Sequence, residues 1–211
     1  MTTDPVDAER RRTVVLAGHA GDLAIVLAHL DDPSAPVRTA ALGAFARIAG
    51  DPLDERHADY VAVLTRGITD PDPGVRRRAV ELAGATTAPP LRTALLDPDP
   101  SVVEMAAWAL GERPIDSVDA EERATLVALC TGHADALVRE AAAASIGALE
   151  LPEGRAGVLA AMGDVAAVRR RAVLALAPFE GEDIRAALDN AATDRDWQVR
   201  QAAEDLLAFE D

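Results

Sequence analysis

Apolar residues recur along the chain at intervals of three and four, and nowhere in the sustained alternation of a half-buried strand, so the pattern predicts helices throughout. After Val75, for instance, Ala79, Leu82 and Ala83 fall on one face of a 3.6-residue period. The equivalent late position in six such runs holds Phe45, Ala83, Leu110, Ile146, Leu176 and Leu207, a row expected to be buried. Each run is preceded by a turn that ends in an anchor valine, usually followed by arginine. The six phrases are Asp32 to Arg38, Asp70 to Arg76, Asp97 to Val103, His133 to Arg139, Gly163 to Arg169 and Asp194 to Arg200. Their anchor valines, Val37, Val75, Val102, Val138, Val168 and Val199, are spaced by 38, 27, 36, 30 and 31 residues. Six copies of one phrase are an internal repeat, and a period of this size indicates stacked supersecondary units.

Each phrase also predicts its local structure. The Asp or Ser just before the run, such as Ser34, supplies a helix N-cap, and Pro36, Pro73 and Pro100 stand where a first-turn proline is tolerated. Gly84, Gly111 and Gly147 share one offset and mark helix ends or close crossings. These runs are the second helices of hairpins. First helices are expected at about 22–30, 56–68, 90–96, 119–131, 154–162 and 182–192. Residues 6–18 read as a second helix without its first, an N-terminal half-repeat. Six hairpins follow, at about 22–50, 56–85, 90–112, 119–149, 154–178 and 182–209, in one domain over residues 1–211. A two-helix unit cannot bury its apolar face alone, so stacking supplies the core. Extra linker carrying Pro52 and Pro114, and Pro89-Pro90 before a first helix of about two turns, predict a local change of curvature.

Composition sharpens this. The chain is 49% hydrophobic but only 3% aromatic, and alanine dominates the apolar set, which suits closely packed helices. Net charge is −15, with all 21 basic residues arginine, as codon usage in a GC-rich bacterial genome would produce. That acidity disfavours sequence-independent binding to nucleic acid. Cys130 has no internal partner, the N-terminus lacks the order of a signal peptide, and no apolar run is long enough to span a bilayer. The expected location is cytoplasmic, without membrane attachment, and the default state is a monomer.

The pattern Asp-Pro-x-x-x-Val-Arg-x-x-Ala resembles the HEAT-repeat superfamily, most closely the short bacterial phycobilisome-lyase-type repeats. The resemblance implies a right-handed, armadillo-like α-solenoid in an all-α chain. It also implies an Asp–Arg ladder, with Asp32, Asp70, Asp97 and Asp194 as acids and Arg38, Arg76, Arg139, Arg169 and Arg200 as bases. Three departures stand out: the Arg missing at Val103 and the Asp missing at His133 and Gly163.

Catalytic chemistry is sparse. His19, His29, His57 and His133 are scattered, none beside a Glu, which removes the His-Glu pairs of HEAT-like deoxyhypusine hydroxylases. No metal-ligand spacing, Walker loop or other cofactor motif occurs. His133 reads as an exposed turn residue, Cys130 as a small core residue and Trp197 as turn packing. Neither a catalytic residue, a metal site nor a cofactor is assigned.

Registering the second helices leaves an apolar centre at Met105, Trp108 and Leu174 flanked by Arg78 and Arg171, and these five are the candidate partner-binding residues. Packing between helices is the competing account of Trp108. The triplets Arg10–Arg12, Arg76–Arg78 and Arg169–Arg171 are the basic clusters, with the first Arg of the latter two assigned to the ladder. The leading functional expectation is a non-catalytic scaffold binding a protein or peptide on the concave face. The lyase-type resemblance implies an alternative, assistance in tetrapyrrole (bilin) attachment. A HEAT-like DNA glycosylase ranks below both, because the charge opposes it.

Overall fold

A computed structural model describes residues 4–51 and 53–208 of the chain; Pro52 and the terminal acids Glu210 and Asp211 lie outside the described residues. Among the described residues there are thirteen α-helices and no strand. They pack as two compact units, Met1–Ala94 and Leu95–Asp211. The first contains α1 (Pro5–Ala20), α2 (Leu23–Ala28), α3 (Ala35–Ala49), α4 (His57–Gly67) and α5 (Pro73–Gly84). A single turn, α6 (Arg92–Leu95), runs across the division. The second unit contains α7 (Pro100–Gly111), α8 (Ala120–Gly132), α9 (Ala136–Ala148), α10 (Arg155–Ala161), α11 (Ala166–Ala175), α12 (Glu182–Ala191) and α13 (Trp197–Leu207).

The second helices start where paired polar turn residues stop the preceding chain. Asp72 accepts the Gly74 and Val75 amides at 2.9 and 3.2 Å and so caps α5. Asp99, Asp135 and Asp196 cap α7, α9 and α13 in the same manner. Ser34 departs from the expected cap, because its side chain makes no capping bond to α3. Instead Asp32, two residues upstream, accepts the Ser34 amide at 2.8 Å. The expected two-turn helix after Pro89-Pro90 is only Arg92–Leu95. Prolines bar helix on its upstream side and the Asp97-Pro98 turn bars it downstream.

Within the first unit α3 packs against α1 and α5 against α3, with α2 and α4 closing the other side. In the second, α7, α9, α11 and α13 lie successively side by side, and α8, α10 and α12 cover them. Phe45, Ala83, Leu110, Ile146 and Leu176 are buried as the periodicity requires. Leu207, on α13, is only half-buried. Phe45 and Tyr60 meet edge to face at 6.1 Å, and burial pushes the Tyr60 hydroxyl up to about 12.

Alanine and glycine set the helix spacing. A Cβ at Gly147 would stand 2.7 Å from Ala175 Cα, and one at Gly111 the same distance from Ser145 Oγ, so each is a close crossing between neighbouring second helices. Gly147→Val should therefore lower stability by about 1–3 kcal/mol through overpacking. Gly157→Ala, whose Cβ would meet nothing closer than 3.9 Å, should leave stability unchanged or raise it. Urea unfolding of both variants checks this; equal denaturation midpoints would show that the crossing is not rigid.

Candidate functional site

Three ladder arginines, Arg38, Arg139 and Arg169, use the whole guanidinium. Arg38 donates from Nη1 to the Asp32 and Pro33 carbonyls of its own turn, at 2.9 and 3.3 Å. Its Nε and Nη2 grip the carboxylate of Asp70, one hairpin onward, at 2.9 and 2.7 Å. Asp70 in turn accepts the Asp72 amide at 2.9 Å, bracing the turn that it occupies. Arg169 repeats the clasp, on the Asp164 carbonyl at 2.7 Å and on Asp194 at 2.9 and 2.7 Å. Arg76 and Arg200 hold their own turns, at Asp70 O (2.9 Å) and Asp194 O (2.8 Å), and Asp97 braces its turn by accepting the Asp99 amide at 2.9 Å. Two side chains outside the expected set join the ladder. Arg10 reaches Asp32 from α1 with 3.0 and 3.2 Å bonds, and Arg139 grips Asp164 at 2.6 and 2.8 Å.

These bonds revise the reading of the departures. Asp164 fills the place that Gly163 left vacant, by a shift of one residue. The other two departures fall on a single rung. Val103 replaces the arginine of α7, and His133 replaces the aspartate that this arginine would meet, so neither charge is left without its counterpart. Val103 is buried. His133 is not the exposed residue expected: it is half-buried, and its Nδ1 accepts the Asp135 amide at 3.1 Å, the bracing role of the missing carboxylate. A different bond ties these helices, from Ser145 Oγ on α9 to the Ala107 carbonyl on α7 at 2.7 Å.

The candidate partner-binding residues divide between the units. In the second unit Trp108 on α7 is 45% exposed and Leu174 on α11 is 42% exposed, at equivalent positions of their helices. Met105 is only 9% exposed and belongs to the core, because its position on α7 turns toward the neighbouring helix layer. Arg171 stands 3.7 Å from Glu140, so its charge is already faced by a carboxylate. Trp197 is 64% exposed at the start of α13, contrary to the packing expected for it.

In the first unit Arg78 lies on a groove of about 580 Å³ formed by α1, α3 and α5. Val15, Ala40, Gly43 and Ala44 line it together with Arg11, Arg47 and Arg78. Arg47 escaped the sequence reading, and Arg11 entered it only as a member of the Arg10–Arg12 cluster. The signal that locates α1 in register was present in Gly18, whose Cβ would stand 2.6 Å from Ala44, the contact made by Gly111 and Gly147 in their own helices. That alignment puts Arg10 at the ladder position and Val15 at the position of Trp108.

Cys130 is buried, and burial pushes its thiol up to about 11, leaving an unreactive core sulfur. No group of three or more His, Cys, Asp and Glu able to hold a metal ion occurs among the described residues. No helix among them is long and apolar enough to cross a membrane.

The ladder carboxylates carry a pH dependence. The Arg139 and Arg169 hydrogen bonds hold Asp164 and Asp194 below the ordinary carboxylate value. Burial raises Asp70, but Arg38 and the Asp72 amide outweigh it and leave this group low as well. A depressed folded pKa gives stability that is complete above the unfolded value of about 3.9 and is lost as pH falls through the folded value. Stability should thus decline below about pH 4. Arg169 and Asp194 are only 7% and 17% exposed at their side chains, so Arg169→Ala should cost about 2 kcal/mol at neutral pH. It should also flatten the acid limb. Urea midpoints between pH 2.5 and 7 measure both, and parallel curves for the two proteins would show that the clasp does not titrate with folding.

Residues 81–147 match the family described as HEAT repeats. No curated protein matches the chain by sequence. Among solved structures, a designed armadillo repeat protein in complex with the peptide (KR)4 is 18% identical with a TM-score of 0.63, over 87% of this chain and 97% of that one. An engineered protein is 23% identical with a TM-score of 0.62, over 89% and 95%. YibA of Escherichia coli is 20% identical with a TM-score of 0.65, over 99% of this chain and 71% of that one. At these identities the likeness is one of fold. Together with the repeated Asp–Arg turn and the layered hairpins, it makes this chain a helical repeat protein similar in fold to armadillo repeat proteins, with HEAT repeats recognised over residues 81–147.

Proposed function

We propose that the chain is a non-catalytic scaffold that binds a protein or peptide on the surfaces of its second helices. The observation that carries this reading is the exposure of Trp108, a large aromatic side chain 45% open to solvent on the second-helix layer. An indole there holds apolar area in water that a partner would cover, and Trp is enriched at the energetic centres of interfaces. Leu174 extends the apolar character on α11. The designed armadillo protein of similar fold is in complex with a peptide, which supports the same use of the architecture here. A regular layer of helices, each presenting the same positions, suits an extended ligand that repeats along it.

The test places a photo-crosslinking amino acid at position 108, and at Ala128, exposed on α8, as control. Irradiation in native lysate should label a discrete polypeptide from position 108 and none from 128. Trp108→Ala, whose side chain is half in solvent, should retain the melting temperature within a few degrees while losing that polypeptide from a pull-down. Equal labelling at the two positions would overturn the site, and labelling at neither would overturn the scaffold reading.

A further inference from the structure

We propose that the groove of α1, α3 and α5 binds an acidic peptide segment, one that carries carboxylates on either side of an apolar side chain. This rests on the scaffold reading and assigns a ligand class to its first unit.

The argument begins with which charges the fold has already used. In this unit Arg10 and Arg38 are spent on Asp32 and Asp70. Of the carboxylates near the groove, Asp72 is committed to the Gly74 and Val75 amides. Glu81 is committed to Arg78 at 2.8 Å. Arg11 and Arg47 also line the groove, both are exposed, and neither has a carboxylate partner among the described residues. In a chain of net charge −15 two uncompensated guanidiniums on one small apolar groove are a local reversal of sign. Long-range repulsion of an acidic ligand by the rest of the protein is screened beyond a Debye length of about 8 Å at physiological salt, so the groove's own charges govern at contact. Guanidinium forks match carboxylates geometrically, and Val15, Ala40 and Ala44 supply apolar surface between them. A space of about 580 Å³ holds a few side chains of a peptide rather than a folded domain.

Gly43 is the second, independent observation. It stands inside α3, where glycine costs about 1 kcal/mol relative to alanine. Unlike Gly18 and Gly147, whose nearest neighbours include another helix's backbone, it faces a flexible side chain, that of Arg78 on α5. The atoms nearest a Cβ there would be those of the Arg78 guanidinium, with Nη2 at 3.0 Å. The glycine is therefore a seat that lets Arg78 lie down on the groove surface.

The experiment uses the full chain and two end-capped decapeptides labelled with a neutral dye, one alternating leucine with glutamate, its twin alternating leucine with lysine. Fluorescence anisotropy should show the glutamate peptide binding with an affinity that weakens between 50 and 300 mM salt. The double variant Arg11→Ala/Arg47→Ala should weaken it at least tenfold. Gly43→Ala should weaken it several-fold while leaving the melting temperature unchanged or higher, which separates loss of the seat from loss of the fold. Binding of the lysine twin alone, of neither peptide, or of the glutamate peptide with equal affinity to all variants would overturn the proposal. Crosslinking at position 108 lies in the other unit and scores the scaffold reading separately in every case.

Discussion

The bidentate grip of one hairpin's arginine on the next hairpin's aspartate is the constraint on which the layering depends. Alanine-rich helices bury little area per residue, and small side chains interlock weakly, so apolar packing alone permits neighbouring helices to slide. The Arg38–Asp70, Arg139–Asp164 and Arg169–Asp194 pairs remove that freedom, because each guanidinium is anchored on carbonyls of its own turn before it reaches across. Each carboxylate is anchored as well, by an amide of its own turn. Part-buried ion pairs of poor geometry repay their desolvation badly; here nearly every donor and acceptor has a fixed partner, and the pairs specify register as well as stability.

The turns divide labour between two polar residues two apart. In Asp70-Pro-Asp72 the first carboxylate receives the arginine and the second caps the helix. Asp194 and Asp196 repeat the arrangement. Where one task is absent the other persists: His133 braces its turn without receiving an arginine, and Asp135 still caps α9. The vacant rung between α7 and α9 is silent on both sides, and Ser145 supplies a neutral bond in its place. A one-sided loss would instead leave a buried charge unanswered.

Because the ladder fixes some arginines in place, those left beside an open surface carry functional information. Arg10 and Arg11 are adjacent in sequence, yet one is bound to Asp32 and Asp7 while the other lines an open groove. The apolar residues divide the same way: Met105 completes the core three residues before the half-exposed Trp108. Both distinctions separate what holds the layer together from what the layer presents, and the proposed scaffold role is read from the second group alone.

Much of the architecture was legible beforehand because it is local. Helix periodicity, proline at the first turn, the aspartate caps and the arginine that folds back on its own turn are all encoded within about ten residues, and they repeat. The half-repeat at α1 was visible in outline, although its anchor valine is replaced by Glu9, which hid Arg10 as a rung. Partner choice was not legible. The ladder bonds join residues 22, 32 and 25 apart, so a slip of one position, as at Asp164, changes which charge is spent. The sequence by itself determined that helical hairpins form and which side chains could join them. Tertiary structure decided which arginines the fold uses, which tryptophans stay in water and where a groove remains, because these depend on the register of hairpins that only stacking sets.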